Sequence, residues 1–181
     1  MEALKTYEQA NPLKEASIQE RLGEWTKELT HAVIRTCEDV GWKASAKRHR
    51  LELLPVHRDE YLGLDIMAFD EGDKRWRFPV AVMELENSKN NDYIAYSLWK
   101  VLSTRADLRI VFCYRRKPEE CAKLVRFLTD DVIQAIGLKY LVELQGETVL
   151  VIGSRDESAT FPYGFFKWWK LDNNLGKFIS I

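Results

Sequence analysis

The stretch Val80-Ala-Val-Met-Glu84-Leu-Glu86-Asn87-Ser88 places the tightest limit on this chain, because an apolar segment runs unbroken into two carboxylates. Alternation along a strand turns Val80, Val82, Glu84 and Glu86 to one side and Ala81, Met83 and Leu85 to the other. A strand that is apolar on both sides belongs in the covered centre of an α/β sheet. Two like charges at its end repel one another, and burial of an unpaired carboxylate is strongly unfavourable. A divalent cation removes that penalty, since hard cations take oxygen ligands. The pattern points to a metal site before any family is considered.

The rest of the composition is permissive. A chain of 181 residues, 46% hydrophobic and 30% charged, suits a single domain over residues 1–181 with its own core. No apolar run approaches the roughly 20 residues of a membrane helix, and the Met1-Glu-Ala-Leu-Lys-Thr start lacks a leader-peptide core. No membrane association is expected. Cys37, Cys113 and Cys121 lie in apolar contexts without ligand spacing, which reads as buried free thiols in a reducing cytoplasm. A net charge of −1 is uninformative by itself, but basic residues cluster at Lys43, Lys47, Arg48, His49 and Arg50, at Lys74, Arg75 and Arg77, and at Arg115, Arg116 and Lys117. Each cluster could contact phosphates, although for any one cluster alone a solvated strand end or loop is the favoured reading.

Periodicity gives the order of elements. Residues 1–16 read as an irregular or short helical lead-in broken at Pro12, and Ser17-Ile-Gln-Glu20 as a capping box. Behind it Ile18, Leu22, Trp25, Leu29, Ala32, Val33, Cys37 and Val40 form the apolar face of a helix ending near Gly41. Residues 42–56 suggest a weak strand and a turn. Residues 60–69 suggest a strand, Asp70-Glu-Gly-Asp73 a turn, and Arg75 to Glu86 the returning strand. In that hairpin Asp65 falls close to Glu84. A helix capped by Asn91 or Asp92 and running to about Thr104 leads to a second two-sided strand at 108–114, a right-handed βαβ crossover. Pro118 opens another helix that Asp130-Asp131 can kink and Gly137 closes. A terminal hairpin is expected from 140–144 and 148–152, with the aromatic segment Phe161–Lys170 packed over the sheet edge.

With Asp65 on one strand and Glu84-x-Glu86 ending the next, followed by a helix and a buried strand, residues 17–116 resemble the PD-(D/E)xK nuclease superfamily, the restriction-endonuclease-like fold. The resemblance implies a central mixed sheet flanked by helices, an αβββαβ core with an extra C-terminal helix and strands. Two departures stand out. Leu64 replaces the usual proline, and Glu86 occupies the position of the motif lysine. Some members carry Glu there and others move the lysine to the following helix. Lys100, on the flank of Tyr93 and Tyr96, is the replacement considered first, and Lys89 the second.

The resemblance further implies Mg²⁺ (or Mn²⁺) held by Asp65, Glu84 and the Leu85 carbonyl, with Glu86 or Lys100 orienting or deprotonating water and Glu28 on the first helix supporting the metal's waters. Lys47, Arg48, Arg50 and Lys89 are the expected nucleic-acid contacts, and DNA the expected partner. The expectation is thus a cytoplasmic, Mg²⁺-dependent nuclease. The alternative is a catalytically inactive nuclease-like domain that binds nucleic acid or protein, and the aromatic tail leaves room for a homodimer. Against both stands the plain possibility that Glu84 and Glu86 simply emerge into solvent. His31, His49 and His57 are too dispersed for a His-based site, and no phosphate-binding glycine loop or Ser/His/Asp pattern occurs.

Overall fold

The structure, a computed structural model, describes residues 7–72 and 74–181. Helices α1 (Tyr7–Ile18) and α2 (Leu22–Asp39) precede strands β1 (Lys43–Ala46), β2 (Ile66–Phe69) and β3 (Ala81–Glu86). Helix α3 (Asn91–Leu102) and β4 (Leu108–Arg115) follow. Next come α4 (Pro118–Leu128), α5 (Gln134–Ile136), α6 (Leu138–Glu143), β5 (Glu147–Ser154), β6 (Phe166–Asp172) and β7 (Lys177–Ser180). The strands form one seven-stranded sheet in chain order. The β3–β4 and β4–β5 pairs are parallel and the rest antiparallel. This is the mixed, helix-flanked α/β sheet that the sequence suggests.

Strand β3 is buried from Ala81 to Leu85 because both of its faces are covered. On one face Val82, Val111, Cys113, Leu150 and Ile152 meet Ile94, Leu98 and Leu124 from α3 and α4. On the other, Met83, Leu85, Phe112 and Val151 meet Trp25, Leu29 and Val33 of α2, together with Phe165 and Phe166. The three cysteines are free and buried. Among the described residues no helix is long and apolar enough to cross a membrane.

Several local expectations are corrected. Ser17 does not cap α2. It lies in the last turn of α1, buried, and α2 starts behind Arg21 without a side-chain cap. Pro12 sits inside α1 instead of breaking it, because Leu13 and Ala16 are both 1% exposed and their burial holds the helix in place. The strand expected over 60–69 shrinks to β2, since Tyr61–Gly63 is a tight helical turn with Leu62 at φ 56° and exposed. The return strand begins only at Ala81. Before it, the Arg77 guanidinium donates to the Asp70 carboxylate and the Gly72 carbonyl and closes an irregular loop. The Asp73 end of the expected turn lies outside the described residues.

The C-terminal third departs further. The expected strand at 140–144 is helix α6, whose one buried residue is Leu141. A short apolar run cannot separate helix from strand by period, and the left-handed Gly137 (φ 83°) restarts the chain as a helix. β5 therefore forms no hairpin with it but pairs with β4 and β6. The aromatic segment does not lie over the edge. Its second half, Phe166–Lys170, enters the sheet in β6 with β7 outside it, while Phe161 and Phe165 pack in the core beside α2. The kink foreseen at Asp130-Asp131 is a π-helical turn over Thr129–Ile133.

Candidate functional site

Three sequence-nominated residues meet at the end of β3. The register Ile66↔Met83 carries Asp65 opposite Glu84, one step beyond the ladder. The Leu85 N–H donates to Asp65 Oδ2 at 2.8 Å, and the Asp65 N–H donates to Glu84 Oε1 at 3.3 Å. The crossover lays α3 over β3 and β4, and Ser97 and Lys100, three residues apart on one flank, reach down to the carboxylate. Ser97 Oγ donates to Glu84 Oε2 at 3.2 Å, and Lys100 Nζ lies 2.8 Å from the same oxygen. Lys100 also donates to the Gly63 carbonyl at 2.8 Å, a bond that pins it over the start of β2.

Glu84 is only 3% exposed. Burial pushes its carboxyl up to about 7, against the hydrogen bond from Lys100, which lowers it, and with the Asp65 charge, which raises it. A carboxyl poised there changes protonation state near neutral pH, a property that clusters at functional sites.

Glu86 points to the same face by alternation but is half-buried, and its Oε1 accepts the Ser88 N–H at 2.7 Å. Asp65, Glu84 and Glu86 do not converge as a trio: among the described residues no three His, Cys, Asp or Glu side chains gather in a metal-holding arrangement. The group that does gather is Asp65, Glu84 and Lys100. Asp65 Oδ1 has no hydrogen-bond partner among the described residues, and Asp65 lines a groove of about 500 Å³ with Thr26, Thr30, Lys47 and Arg48. Two carboxylates with one oxygen uncommitted suit Mg²⁺, which binds through one or two carboxylates and keeps several waters.

The other nominated residues are scattered. Glu28 does not line the Asp65 groove; it lines a neighbouring one with Arg35 and Glu38, and the two grooves share His31 and His49. Arg50 Nη1 lies 3.1 Å from His57 Nδ1, and Arg50 does not line the Asp65 groove. Lys89 opens onto another cavity, with Asn87 and Arg115. Asn87 Nδ2 donates to Thr26 Oγ1, which ties the end of β3 to α2. Sequence reasoning missed Ser97 and the Gly63 carbonyl. Ser97 was discoverable, because it shares the Lys100 flank at helical spacing. The carbonyl carried no side-chain signal. Comparison with known proteins assigns no relatives: no family model, curated protein or solved structure matches the chain.

Proposed function

We propose that this chain is a Mg²⁺-dependent phosphodiesterase of the PD-(D/E)xK type, acting on DNA, with the motif lysine moved from the strand to α3. The observation that carries this reading is the ammonium of Lys100 at 2.8 Å from Glu84, with Asp65 in register beside it. Asp65 and Glu84 would hold the ion. The Leu85 carbonyl is a third donor, since it points to the side on which the Leu85 N–H already meets Asp65. Bound Mg²⁺ supplies Lewis-acid stabilisation of phosphate charge and a more acidic water.

The chain's own residues do the remaining work. Lys100 neutralises Glu84 and presents a positive charge where negative charge builds up on the phosphate. Glu86, one pleat farther on, keeps Oε2 for orienting water, since Oε1 is held by Ser88. Lys47 and Arg48 on the Asp65 groove offer phosphate contacts along one approach.

A cleavage assay with Mg²⁺ and Mn²⁺ on single- and double-stranded DNA tests the reading. Glu84→Ala is expected to remove metal-dependent cleavage, and unchanged nicking by that variant refutes the assignment. A second reading, a binding module that has lost cutting, draws support from Lys100 itself, whose bonds to Glu84 and Gly63 satisfy the carboxylate without a metal. It predicts DNA binding with no turnover in either metal.

A further inference from the structure

A second feature lies on the same rim of the sheet and is not used by the Glu84 group. The parallel strands β3, β4 and β5 all end at one edge, and the chain leaving each contributes a residue to a common cavity: Asn87 after β3, Arg115 at the end of β4 and Arg155 after β5. The carboxyl ends of parallel strands are where open α/β sheets take up ligands. The cavity measures about 390 Å³, within the roughly 300–1,000 Å³ of small-ligand sites. Its lining carries five cations, Lys89, Arg115, Arg116, Lys123 and Arg155, against two carboxylates, Glu20 and Glu120.

Neither carboxylate neutralises the cavity fully. Glu120 Oε2 is occupied by the N–H groups of Arg116 and Lys117, at 3.1 and 3.0 Å, at the start of α4. Glu20 is held by Arg155, whose guanidinium also lies 5.2 Å from the Tyr114 ring and is thereby fixed in orientation. Arg155 Nε is enclosed and has no acceptor among the described residues. Arg115 is likewise anchored, by the Asn91 side chain at 2.7 Å and the Ser88 carbonyl at 3.3 Å. Lys89 and Lys123 form no ion pair among the described residues. Two guanidinium groups fixed in place, one of them Arg155 with its Nε uncommitted, and the ammonium groups of Lys89 and Lys123 beside them match a compact, doubly charged oxyanion.

We propose that this cavity binds a phosphate monoester, the terminal phosphate of a nucleic-acid strand or of a free nucleotide. The proposal stands whether or not Glu84 cuts, and the experiment separates the two. Inorganic phosphate is titrated into the full chain at low salt, followed by phosphorus NMR or calorimetry, then a mononucleotide, then a 5′-phosphorylated single strand and its 5′-hydroxyl twin. The expected result is one saturable phosphate site per chain. Binding should weaken at least tenfold in the Arg116→Gln/Lys123→Gln double variant, whose two side chains are exposed and whose melting should match the parent.

Glu84→Gln should bind phosphate as the parent does, even where cleavage is lost. A phosphorylated strand preferred over its twin assigns the site to strand ends, and a mononucleotide bound as tightly as the strand assigns it to free nucleotides. An unchanged phosphate affinity in the double variant overturns the proposal. So does the absence of saturation by phosphate combined with equal binding of the two strands.

Discussion

Glu84 and the basic cavity sit on the same rim of one sheet, yet burial makes them opposite in character. Glu84 is enclosed, so desolvation governs its proton, and Ser97, Lys100 and the Asp65 N–H occupy both of its oxygens. The cavity is open to solvent, its lining is mainly basic, and two of its lysines have no ionic partner among the described residues. One region is built to tune a single group, the other to attract charge from solution. The physical lesson is that dielectric surroundings, more than residue type, decide what a charged cluster can do.

The sharpest break of this comparison is Glu84→Ala, for which we expect a loss of about 100-fold or more in Mg²⁺-dependent cleavage, measured beside an intact unfolding transition. A cavity variant such as Lys123→Gln should leave that chemistry far less affected. Next comes Lys100→Ala. Removing one partner of a largely buried pair should cost about 1–3 kcal/mol in urea unfolding, less than for a fully buried pair because Lys100 is 22% exposed. Because the Lys100 hydrogen bond holds the Glu84 carboxyl down, the variant should titrate Glu84 still higher by carbon NMR. A Glu84 titration that stays put would show that the ammonium does not bear on it.

The pH dependence of the metal-free protein sharpens the same contrast. With the folded value raised from 4.5 to about 7, the native state holds more protons than the unfolded state between those limits. The contribution of Glu84 to stability is therefore fully present below about pH 4.5 and is lost as pH rises through about 7, the reverse of an ordinary ion-paired carboxylate. Glu84→Gln should flatten that decline, and parallel parent and variant curves across this window would contradict it. The smallest effect is expected at the cavity rim. Lys123→Gln should reduce the salt slope of DNA binding by about 0.7–0.9 and change stability by no more than about 0.5 kcal/mol.

Much of the region around Glu84 was legible because its signals are local. The two-sided apolar run of β3, the 3.6-residue period of α3 and the apolar face of α2 each show within a dozen or so residues. The phase of Lys100 on α3 was readable for the same reason. For Glu86 alternation gives the face but not the distance from Asp65, and among the described residues no metal-holding trio of acidic side chains forms. Residues 140–144 were misread because a short, largely apolar segment fits either element, and what decides it is a positive-φ glycine before α6 and a free strand, β6, elsewhere. The basic cavity was legible only as scattered clusters, for its lining comes from segments as far apart as Glu20 and Arg155.

By itself the amino-acid order determined a mixed α/β chain, a covered β3 that ends in carboxylates, and a helix that carries a lysine on the correct flank. Those outcomes follow from backbone alternation and helical period, which act between near neighbours. Tertiary structure alone decided that Lys100 closes on Glu84, that one Glu86 oxygen is taken by the Ser88 N–H, and that three strand ends share one cationic cavity. Such outcomes depend on strand order and on the solvent excluded between elements, and neither quantity exists until the sheet has assembled.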